Sequence, residues 1–490
     1  MKNILFISLL SFMMCSCADF LDEKTYSQLT PENAYLSKEG ANKAMNGAYA
    51  MLQDGFDYKF SIGVGILGTD EATSYNDTYG DHEILLDKYT YSSEYDIFQA
   101  VYIDLFEGVK RCNVIVDLLP DDVEDRELFV AQAKFLRGTY YFELVNLFGG
   151  VPLWLSASAD KDNLKKPRAS VDEIYTQIEQ DLLAAEEDLP LVNVWEEGRA
   201  TKYAAQAMLA RMYLQRHDYE NALKYCNLVI GDGNNFHLYN NYADIYDPAN
   251  KNQGYENIFE IQHRASLKSE DEGSTSTDFF LPIELQGTIY TGWAMYGPTD
   301  YLYNSYEPND KRKAITYITS GVNSAGQTVT FKPHCFKYYN RTEGFPVNDG
   351  EQNFPLIRYA DVLLMKAEAI NGLPAENGQQ TKEKFQCLND VRSRAGLDAI
   401  ENTGENATKE GFLETLLEER LHELCFEKSR RKDLIRNNKL QSYVAARKPD
   451  RPVPDKAKEY YPLPLAATDA NSLLEQLPGY QTNLNKMTEL

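Results

Sequence analysis

Residues 126–154 read RELFVAQAKFLRGTYYFELVNLFGGVPLW, and this stretch decides how the chain must fold. Its apolar residues recur every three or four positions, which is the spacing of a helix. They form one stripe of Phe129, Ala133, Leu136, Tyr140, Leu144 and Leu147, and a second of Val130, Arg137, Tyr141, Val145 and Phe148. Gly149 and Gly150 end the helix, and Pro152 cannot continue it. An apolar surface this broad must be covered by other helices on most sides.

Outward from this stretch, the same periodicity predicts further helices that cannot bury their apolar faces alone. Ser170 and Glu173 form a capping box that begins one of them. The predicted helices cover residues 38–53, 97–119, 170–188, 358–371, 382–395 and 411–437. The chain is therefore expected to be mainly α, with its helices packed in series.

Residues 202–230 predict a pair of helices with the side-chain pattern of a tetratricopeptide repeat. The first helix carries a large, a small and an aromatic residue (Leu209, Ala210 and Tyr213). The second, after the turn, carries an aromatic and a small residue (Tyr219 and Ala222). Small residues let two helices approach closely, and aromatic residues fill the groove between them. An ordinary helical hairpin would explain a single match. Weaker matches to this pattern occur at residues 138–141 and 359–395. About three such helix pairs are needed for a stable stack of repeats.

Two long stretches, residues 56–95 and 236–353, lack helical periodicity. The first is rich in Gly, Asp and Tyr, and the second carries eight aromatic residues between positions 279 and 306. Only residues 256–262, ENIFEIQ, predict a strand there. Irregular stretches of this length inside a compact chain are usually functional.

The composition is that of an acidic globular chain. With 490 residues, of which 43% are hydrophobic and 25% charged, it can bury one large core or about two or three ordinary ones. The formal net charge is −25, and no basic tract compensates for it. Such a surface repels nucleic acid, so no nucleic-acid partner is expected. It also disfavours strongly anionic ligands, although a local patch of cations would override the net charge.

The first residues have the pattern of an export signal. The apolar segment at residues 4–14 is too short to cross a bilayer, and Ser16 is a small residue before Cys17. The sequence Met14-Cys15-Ser16-Cys17 is similar to a bacterial lipobox, in which the cysteine is acylated, with palmitate for example, and becomes the first mature residue. An ordinary signal peptide cut elsewhere is the alternative. Two or more acyl chains would make a durable membrane anchor.

Five cysteines follow Cys17, an odd number, and they have no CxxC spacing. They are Cys112, Cys226, Cys335, Cys387 and Cys425, and four of the five lie inside helical patterns. Free cysteine behaves as a small apolar residue. The sequence therefore predicts buried, unpaired thiols and no zinc site.

A series of short motifs runs from residue 17 to residue 480. In order they are CADFLD (17–22), AKFLR (133–137), LFGGVPL (147–153), GRATK (198–202), IRYADVLLM (357–365), AEA (367–369), VRSRAG (391–396), EER (418–420), RRKDLIR (430–436), YPLP (461–464) and PGY (478–480). Each motif is weak alone. In this order they resemble the SusD/RagB family of outer-membrane nutrient-binding lipoproteins of Bacteroidetes.

The resemblance implies a mainly α fold in which a tetratricopeptide-like helical scaffold carries a large, irregular, loop-rich ligand-binding part. Residues 1–16 would be the lipoprotein signal peptide and residues 17–490 a single domain. The scaffold would take roughly 17–55, 97–235 and 354–445, and the binding part roughly 56–96 and 236–353. No cofactor and no catalytic residues are implied, since members of the family bind their ligands without transforming them.

The resemblance also implies a location and a partner. The protein would be lipid-anchored through Cys17 at the extracellular face of the outer membrane, and Asp19, Asp22 and Glu23 are similar to signals that direct such lipoproteins to the surface. Its partner would be a SusC-like TonB-dependent transporter, over whose mouth the lipoprotein closes as a lid. Typical ligands are oligosaccharides, although some members take peptides.

Residues suited to binding a neutral sugar occur in both irregular stretches. Aromatic rings stack on the C–H faces of a sugar, and Asp or Asn hydrogen-bonds its hydroxyls. The predicted ligand-binding residues, which fall where family members carry ligand contacts, are Asp70, Tyr75, Asn76, Tyr79, Tyr91, Tyr290, Trp293 and Tyr296. The alternative is that these aromatics pack the core of the irregular part.

A catalytic function and a metal-binding site have less support from the sequence. The carboxylate pairs at 121–122, 186–187 and 418–419 are sequence neighbours, whereas glycoside hydrolysis needs two carboxyls that face one sugar. The six histidines show no ligand spacing, and residues 244–252 miss the EF-hand pattern. The alternatives are a peptide-binding lipoprotein of the same family, a surface glycan hydrolase, and a tetratricopeptide scaffold that binds protein or peptide through its helical groove. The cluster at 430–433 is expected to form ion pairs with Glu418, Glu419 or Glu423.

Overall fold

The computed structural model describes residues 35–57, 59–75, 81–157, 165–191, 197–231, 236–265, 273–285, 287–288, 292–339 and 350–480. In chain order the α-helices of this part are α1 (Lys38–Leu52), α2 (Lys59–Ile66), α3 (Asp81–Lys88), α4 (Asp96–Leu118), α5 (Arg126–Phe148), α6 (Val171–Asp188), α7 (Lys202–Gln215), α8 (Tyr219–Gly231), α9 (Ser276–Phe280), α10 (Asp300–Ser305), α11 (Arg312–Thr316), α12 (Tyr359–Gly372), α13 (Gly378–Ala395), α14 (Lys409–Leu424), α15 (Arg430–Arg436), α16 (Leu440–Arg447) and α17 (Leu465–Ala470). The strands are β1 (Ala72–Ser74), β2 (Asn257–Ile261), β3 (Tyr296–Pro298), β4 (Tyr317–Val322), β5 (Thr328–Cys335) and β6 (Phe354–Arg358).

The long helices pack in series, so the predicted mainly α scaffold is confirmed. Helices α1, α4, α5, α6, α7 and α8 each contact the next, and α8 contacts α12, which in turn packs on α13 and α14. The apolar stripes of α5 are buried as expected, except for the half-buried Val130 near its start. Its Tyr140 hydroxyl donates to the Ala48 carbonyl of α1 at 2.7 Å. Gly108 of α4 makes room for this ring, because a Cβ there would lie 2.6 Å from it.

The small residues of the predicted α7–α8 pattern lie in the interior, since Ala210 and Ala222 are both fully buried. One predicted aromatic differs. The Tyr213 ring stacks on Tyr225, which the pattern does not include, with the centroids 5.6 Å apart, whereas Tyr219 is half-buried and lies against Gly372 of α12. Because α8 contacts α12 directly, the segment at 232–358 is inserted between two neighbouring helices of the stack.

Short antiparallel ribbons organise the inserted segment. The ribbon β2–β6 pairs Asn257 with Arg358 and Ile261 with Phe354, so the segment is tied together close to where it leaves and re-enters the scaffold. The strand predicted at 256–262 is thus confirmed. The ribbon β4–β5 lies wholly within the segment, whereas β1–β3 joins the segment to residues 72–74 of the first irregular stretch.

The helix predicted over residues 411–437 is wrong in one respect, because it is broken. Helix α14 ends at Leu424 and α15 begins at Arg430. Between them Phe426 and Lys428 have φ of 64° and 61°, a left-handed conformation that a continuous helix cannot contain. Tertiary bonds hold this turn, since the Phe426 amide donates to the Glu71 carboxylate and the Tyr338 hydroxyl donates to the Phe426 carbonyl.

Buried ion pairs join the helices at their centre, but with partners other than those expected. Arg430 pairs with Asp70, and Asp433 pairs with Arg420 and Arg436. Glu419 and Glu423 instead receive arginines from other elements, namely Arg312, Arg358, Arg392 and Arg394. The acidic residues of α14 therefore bind distant parts of the chain together. Their removal one at a time would leave uncompensated buried charge.

The cysteines of the described part are free and buried, as predicted: Cys112, Cys226, Cys335, Cys387 and Cys425. Burial raises the pKa of each thiol above its usual value. They behave as small apolar residues of the core.

Candidate functional site

The two sequence stretches predicted to bind ligand meet at one end of the β1–β3 ribbon. Ser74 is opposite Tyr296 in the register, and the Tyr75 amide donates to the Met295 carbonyl at 3.0 Å. Tyr75 follows β1 and Trp293 precedes β3, so antiparallel pairing places them at the same end. The predicted residues Asn76, Tyr79 and Tyr290 lie outside the described residues.

Tyr75 is half-buried and held at both its hydroxyl and its ring. The hydroxyl lies 3.0 Å from the Pro333 carbonyl and 3.3 Å from the Pro298 carbonyl. The ring passes over Gly297, where a Cβ would collide with it. Burial raises the pKa of Tyr75 above its usual value, and the nearby Asp300 carboxylate raises it further. The residue is therefore a neutral aromatic surface in a fixed position.

Trp293 is the second half-buried aromatic at this end. Its amide donates to the Asp278 carbonyl at 2.6 Å, which ties the segment before β3 to helix α9. Its ring contacts the buried ring of Phe279 edge to face, with the centroids 5.4 Å apart. An aromatic residue supported in this way offers a rigid surface for stacking.

Two residues of β5 complete the surroundings of Tyr75, and sequence analysis did not select them. The Lys332 ammonium is exposed and lies 5.3 Å from the centroid of the Tyr75 ring. The His334 ring meets that ring edge to face at 5.2 Å, and its Nδ1 donates to the Phe280 carbonyl at 2.8 Å. Burial lowers the pKa of His334 to about 4, so His334 itself is neutral at pH 7. The sequence signal for these two residues is the alternation of polar and apolar side chains in TVTFKP (328–333), which is typical of a half-exposed strand.

Three of the predicted ligand-binding residues belong to the interior, contrary to expectation. Asp70 is fully buried and paired with Arg430 and Arg447. Tyr91 is 4% exposed and packs its ring against Phe98, and Tyr296 is 0% exposed. These side chains have no face to offer a ligand from solution. For Tyr91 and Tyr296, packing of the irregular part is the correct interpretation.

Asp70 nevertheless positions the site, because it anchors the backbone from which β1 starts. The Asp70 carbonyl accepts a bond from the Thr299 hydroxyl at 2.6 Å, and the Thr299 amide donates to the Glu71 carbonyl at 3.0 Å. Thr299 follows β3 directly. The ion pair with Arg430 therefore fixes the end of the β1–β3 ribbon at which the Tyr75 hydroxyl meets the Pro298 carbonyl.

Replacing Glu71 by glutamine is expected to stabilise the protein at alkaline pH by roughly 1–3 kcal/mol. Burial raises the pKa of Glu71 from 4.5 to about 8, despite the Phe426 amide and the nearby Arg430. As the pH rises from 4.5 to 8, the unfolded state loses this proton and the folded state keeps it, so wild-type stability falls. Glutamine does not ionise, so the stability of the variant lacks this pH dependence. Unfolding midpoints measured between pH 5 and 8.5 should diverge towards the upper end, and a constant difference would contradict the assignment.

In the part of the chain that the structure describes, none of the helices combines the length and apolarity needed to cross a bilayer. Cys17, the predicted lipidation site, lies outside these residues. The anchor is therefore still a prediction.

Two family models match this chain. The model of the SusD family matches residues 318–480, and a model described as "Starch-binding associating with outer membrane" matches residues 19–214. SusD-like protein P2 of Formosa agariphila is 27% identical to this chain, and the alignment covers 98% of this chain and 99% of that protein.

Solved structures share the fold. A laminarin-binding SusD-like protein superposes with a TM-score of 0.78 at 24% identity, covering 91% of this chain and 100% of that one. Surface glycan-binding protein A from Bacteroides thetaiotaomicron, solved in complex with laminarihexaose, gives a TM-score of 0.73 at 23% identity. That match covers 90% of this chain and 99% of the other. The helical scaffold with its inserted, strand-bearing segment is thus an architecture already seen in other proteins.

Proposed function

This chain belongs to the SusD family of glycan-binding proteins, and from that premise we propose that it captures an oligosaccharide at the bacterial surface on Tyr75 and Trp293. The observation that supports the proposal is that pairing of β1 with β3 brings together the two backbone segments that carry these half-buried aromatics. Asn76, Tyr79 and Tyr290 adjoin them in sequence and are proposed to contribute further contacts.

The chemistry of these residues suits an uncharged sugar. The aromatic rings stack on the C–H faces of pyranose rings, while the exposed Lys332 and Asp300 can bond to hydroxyls. The neutral His334 and the buried Phe279 keep the rings fixed, so that little conformational entropy is lost on binding. The laminarin and laminarihexaose bound by two relatives make β-glucan oligosaccharides the first ligands to test.

We further propose that the protein acts by binding alone and passes its ligand to a SusC-like TonB-dependent transporter. Cys17 would carry the acyl chains that hold it to the outer face of the outer membrane. Support comes from the family model that describes association with the outer membrane. Labelling with a palmitate analogue and co-purification with the transporter would test these two points directly.

Trp293→Ala is expected to weaken oligosaccharide binding by about 2 kcal/mol or more, which is roughly 30-fold in Kd, because a supported tryptophan is a typical binding hot spot. Isothermal titration with laminari-oligosaccharides, and with a wider glycan panel, measures the effect. Free peptides included in the panel test the peptide-binding alternative.

Trp154→Ala is the matched control, since Trp154 is also half-buried but lies after α5, away from the ribbon. Its affinity should equal that of the wild type, and the two variants should have similar melting temperatures. If Trp293→Ala binds glycan as tightly as the control, or loses stability and affinity together, Trp293 is a core residue and the proposed site is wrong.

A further inference from the structure

A cavity of about 420 Å³ lies where the inserted segment meets the scaffold. Its lining includes the loop at 197–201, the first turn of α7, residues 252–255 and the strand β2. None of the lining residues belongs to β1, β3 or β5, so the cavity is separate from the Tyr75 site. Its volume falls in the range of roughly 300–1,000 Å³ that is usual for small-molecule sites.

Part of the lining of this cavity is aromatic. Tyr255 is 43% exposed, and its ring is flanked by the rings of His237 and Tyr239, whose centroids lie 5.0 and 6.0 Å away. Phe236 is half-buried and meets the ring of the buried Tyr203 edge to face at 5.1 Å. Rings that are supported by neighbouring rings and still reach solvent are surfaces on which a ligand can stack.

The lining also includes Glu260 of β2, a carboxylate that is only 7% exposed. It accepts the backbone N–H of Asn252 at 2.9 Å and the side-chain amide of Asn257 at 2.8 Å. Within the described part of the chain, no lysine or arginine forms an ion pair with it. Lys251 attracts it from a distance but pairs with Glu351 instead. Burial raises the pKa of Glu260 above its usual value in spite of these contacts.

The hydrogen-bonding capacity of Glu260 suits a ligand that carries hydroxyl groups. A carboxylate has about four lone-pair sites, and the two N–H donors of the protein fill only part of them. Because a buried carboxylate without a cation is costly, any further donor that reaches it is stabilising. The hydroxyls of a sugar are such donors and bring no charge into the cavity. The exposed Glu197 and Gln253, which also line it, can bond to further hydroxyls.

The cavity is narrow on the side of α1. A second cavity of about 280 Å³ adjoins it there, and the two share Glu197, Gly198, Arg199 and Glu260. Gly198 packs so closely on Gln262 that a Cβ would lie 2.3 Å from the glutamine side chain. This contact restricts the passage between the two cavities, so a short ligand fits the larger one better than a long one.

We infer that this cavity is a second ligand site, which binds a short neutral saccharide. A sugar ring stacks on Tyr255 beside Phe236, and its hydroxyls donate to Glu260. The site goes beyond the proposed function, because it involves neither Tyr75 nor Trp293 and lies on a different part of the inserted segment.

The test uses the purified mature chain carrying Trp293→Ala, so that the first site no longer contributes a tryptophan. Ligand-observed NMR titrations with laminaribiose, cellobiose and maltose should show saturable binding of at least one of these disaccharides. Adding Tyr255→Ala should weaken that binding roughly tenfold, because the stacking surface is lost. Adding Leu473→Ala is the control, since Leu473 is 51% exposed and lies outside the cavity lining.

Glu260→Gln, which keeps the shape of the side chain but replaces one acceptor oxygen by a donor, should weaken binding as well. Trilysine, a cationic peptide, should not displace the disaccharide. The inference is overturned if no disaccharide binds the Trp293→Ala chain, if Tyr255→Ala and Leu473→Ala bind equally well, or if trilysine displaces the sugar. Failure of the proposed site at Tyr75 and Trp293 gives a different result, namely titrations of wild type and Trp293→Ala that coincide.

Discussion

Asp70→Asn is expected to lower the free energy of unfolding by about 3–5 kcal/mol, the usual cost of removing one partner from a buried ion pair. Asp70 is fully buried, and Arg430 donates to both its oxygens at 2.8 and 2.6 Å. Arg447 donates to it as well, at 2.9 Å. Asparagine keeps the shape but removes the charge, and within the described chain Arg430 has no other carboxylate partner. Equilibrium unfolding in urea at pH 7 measures the loss.

The pH dependence of this loss follows from the pKa of Asp70. Burial alone would raise the pKa, but Arg430 and Arg447 bring it below the usual 3.8. The ion pair therefore stabilises the fold fully above about pH 4, and its contribution is lost as the pH falls through the folded-state pKa. The difference between wild type and variant should shrink below pH 4.

Asp121→Asn is the matched control, since Asp121 is 98% exposed where it pairs with Arg126 at 3.2 Å. An exposed pair of this kind contributes about 1 kcal/mol or less. If Asp70→Asn costs no more than the control yet abolishes glycan binding, then Asp70 contacts ligand and its structural assignment fails.

The scaffold could be predicted from sequence because its determinants are local. The stripes of α5, the capping box at Ser170 and the stop at Gly149 all act within a few residues, and the structure has each of them. The small residues of the α7–α8 pattern, Ala210 and Ala222, are likewise buried as predicted. Periodicity failed only where distant contacts decide, as at Phe426, whose left-handed conformation depends on a bond to Glu71.

The site could be predicted as a region but not residue by residue. Composition placed aromatics in two irregular stretches, and pairing of β1 with β3 brings those stretches together. Which ring faces solvent depends on partners far along the chain: the Tyr75 hydroxyl binds Pro298, 223 residues away, and Asp70 binds Arg430, 360 residues away. No periodic pattern in an irregular segment encodes such contacts, which is why Tyr91 and Tyr296 lie in the core although composition suggests a binding surface.

Arg358→Met is the second substitution with a large expected effect, again about 3–5 kcal/mol of unfolding free energy. Arg358 is fully buried at the junction of β6 and α12, and it donates to the carboxylates of Glu256, Glu423 and Glu427 at 2.8 to 3.0 Å. Methionine fills a similar volume but leaves those carboxylates with less positive charge. The junction of the inserted segment with the scaffold would be weakened at its most charged point.

The loss for Arg358→Met should shrink as the pH falls, as that for Asp70→Asn does, but over a higher pH range. Burial already raises the pKa of Glu256, and the attraction of Arg394 and Arg358 offsets only part of that rise. Without Arg358 the pKa rises further, so the folded variant gains stability by binding a proton as the pH falls. The deficit should be largest near pH 8 and smaller near pH 5. Adding Glu256→Gln should recover part of it, because the charge that Arg358 neutralised is then absent. A deficit that is equal at both pH values and unchanged in the double variant would show that Arg358 acts by packing, since only the electrostatic role couples its loss to the protonation of its neighbours.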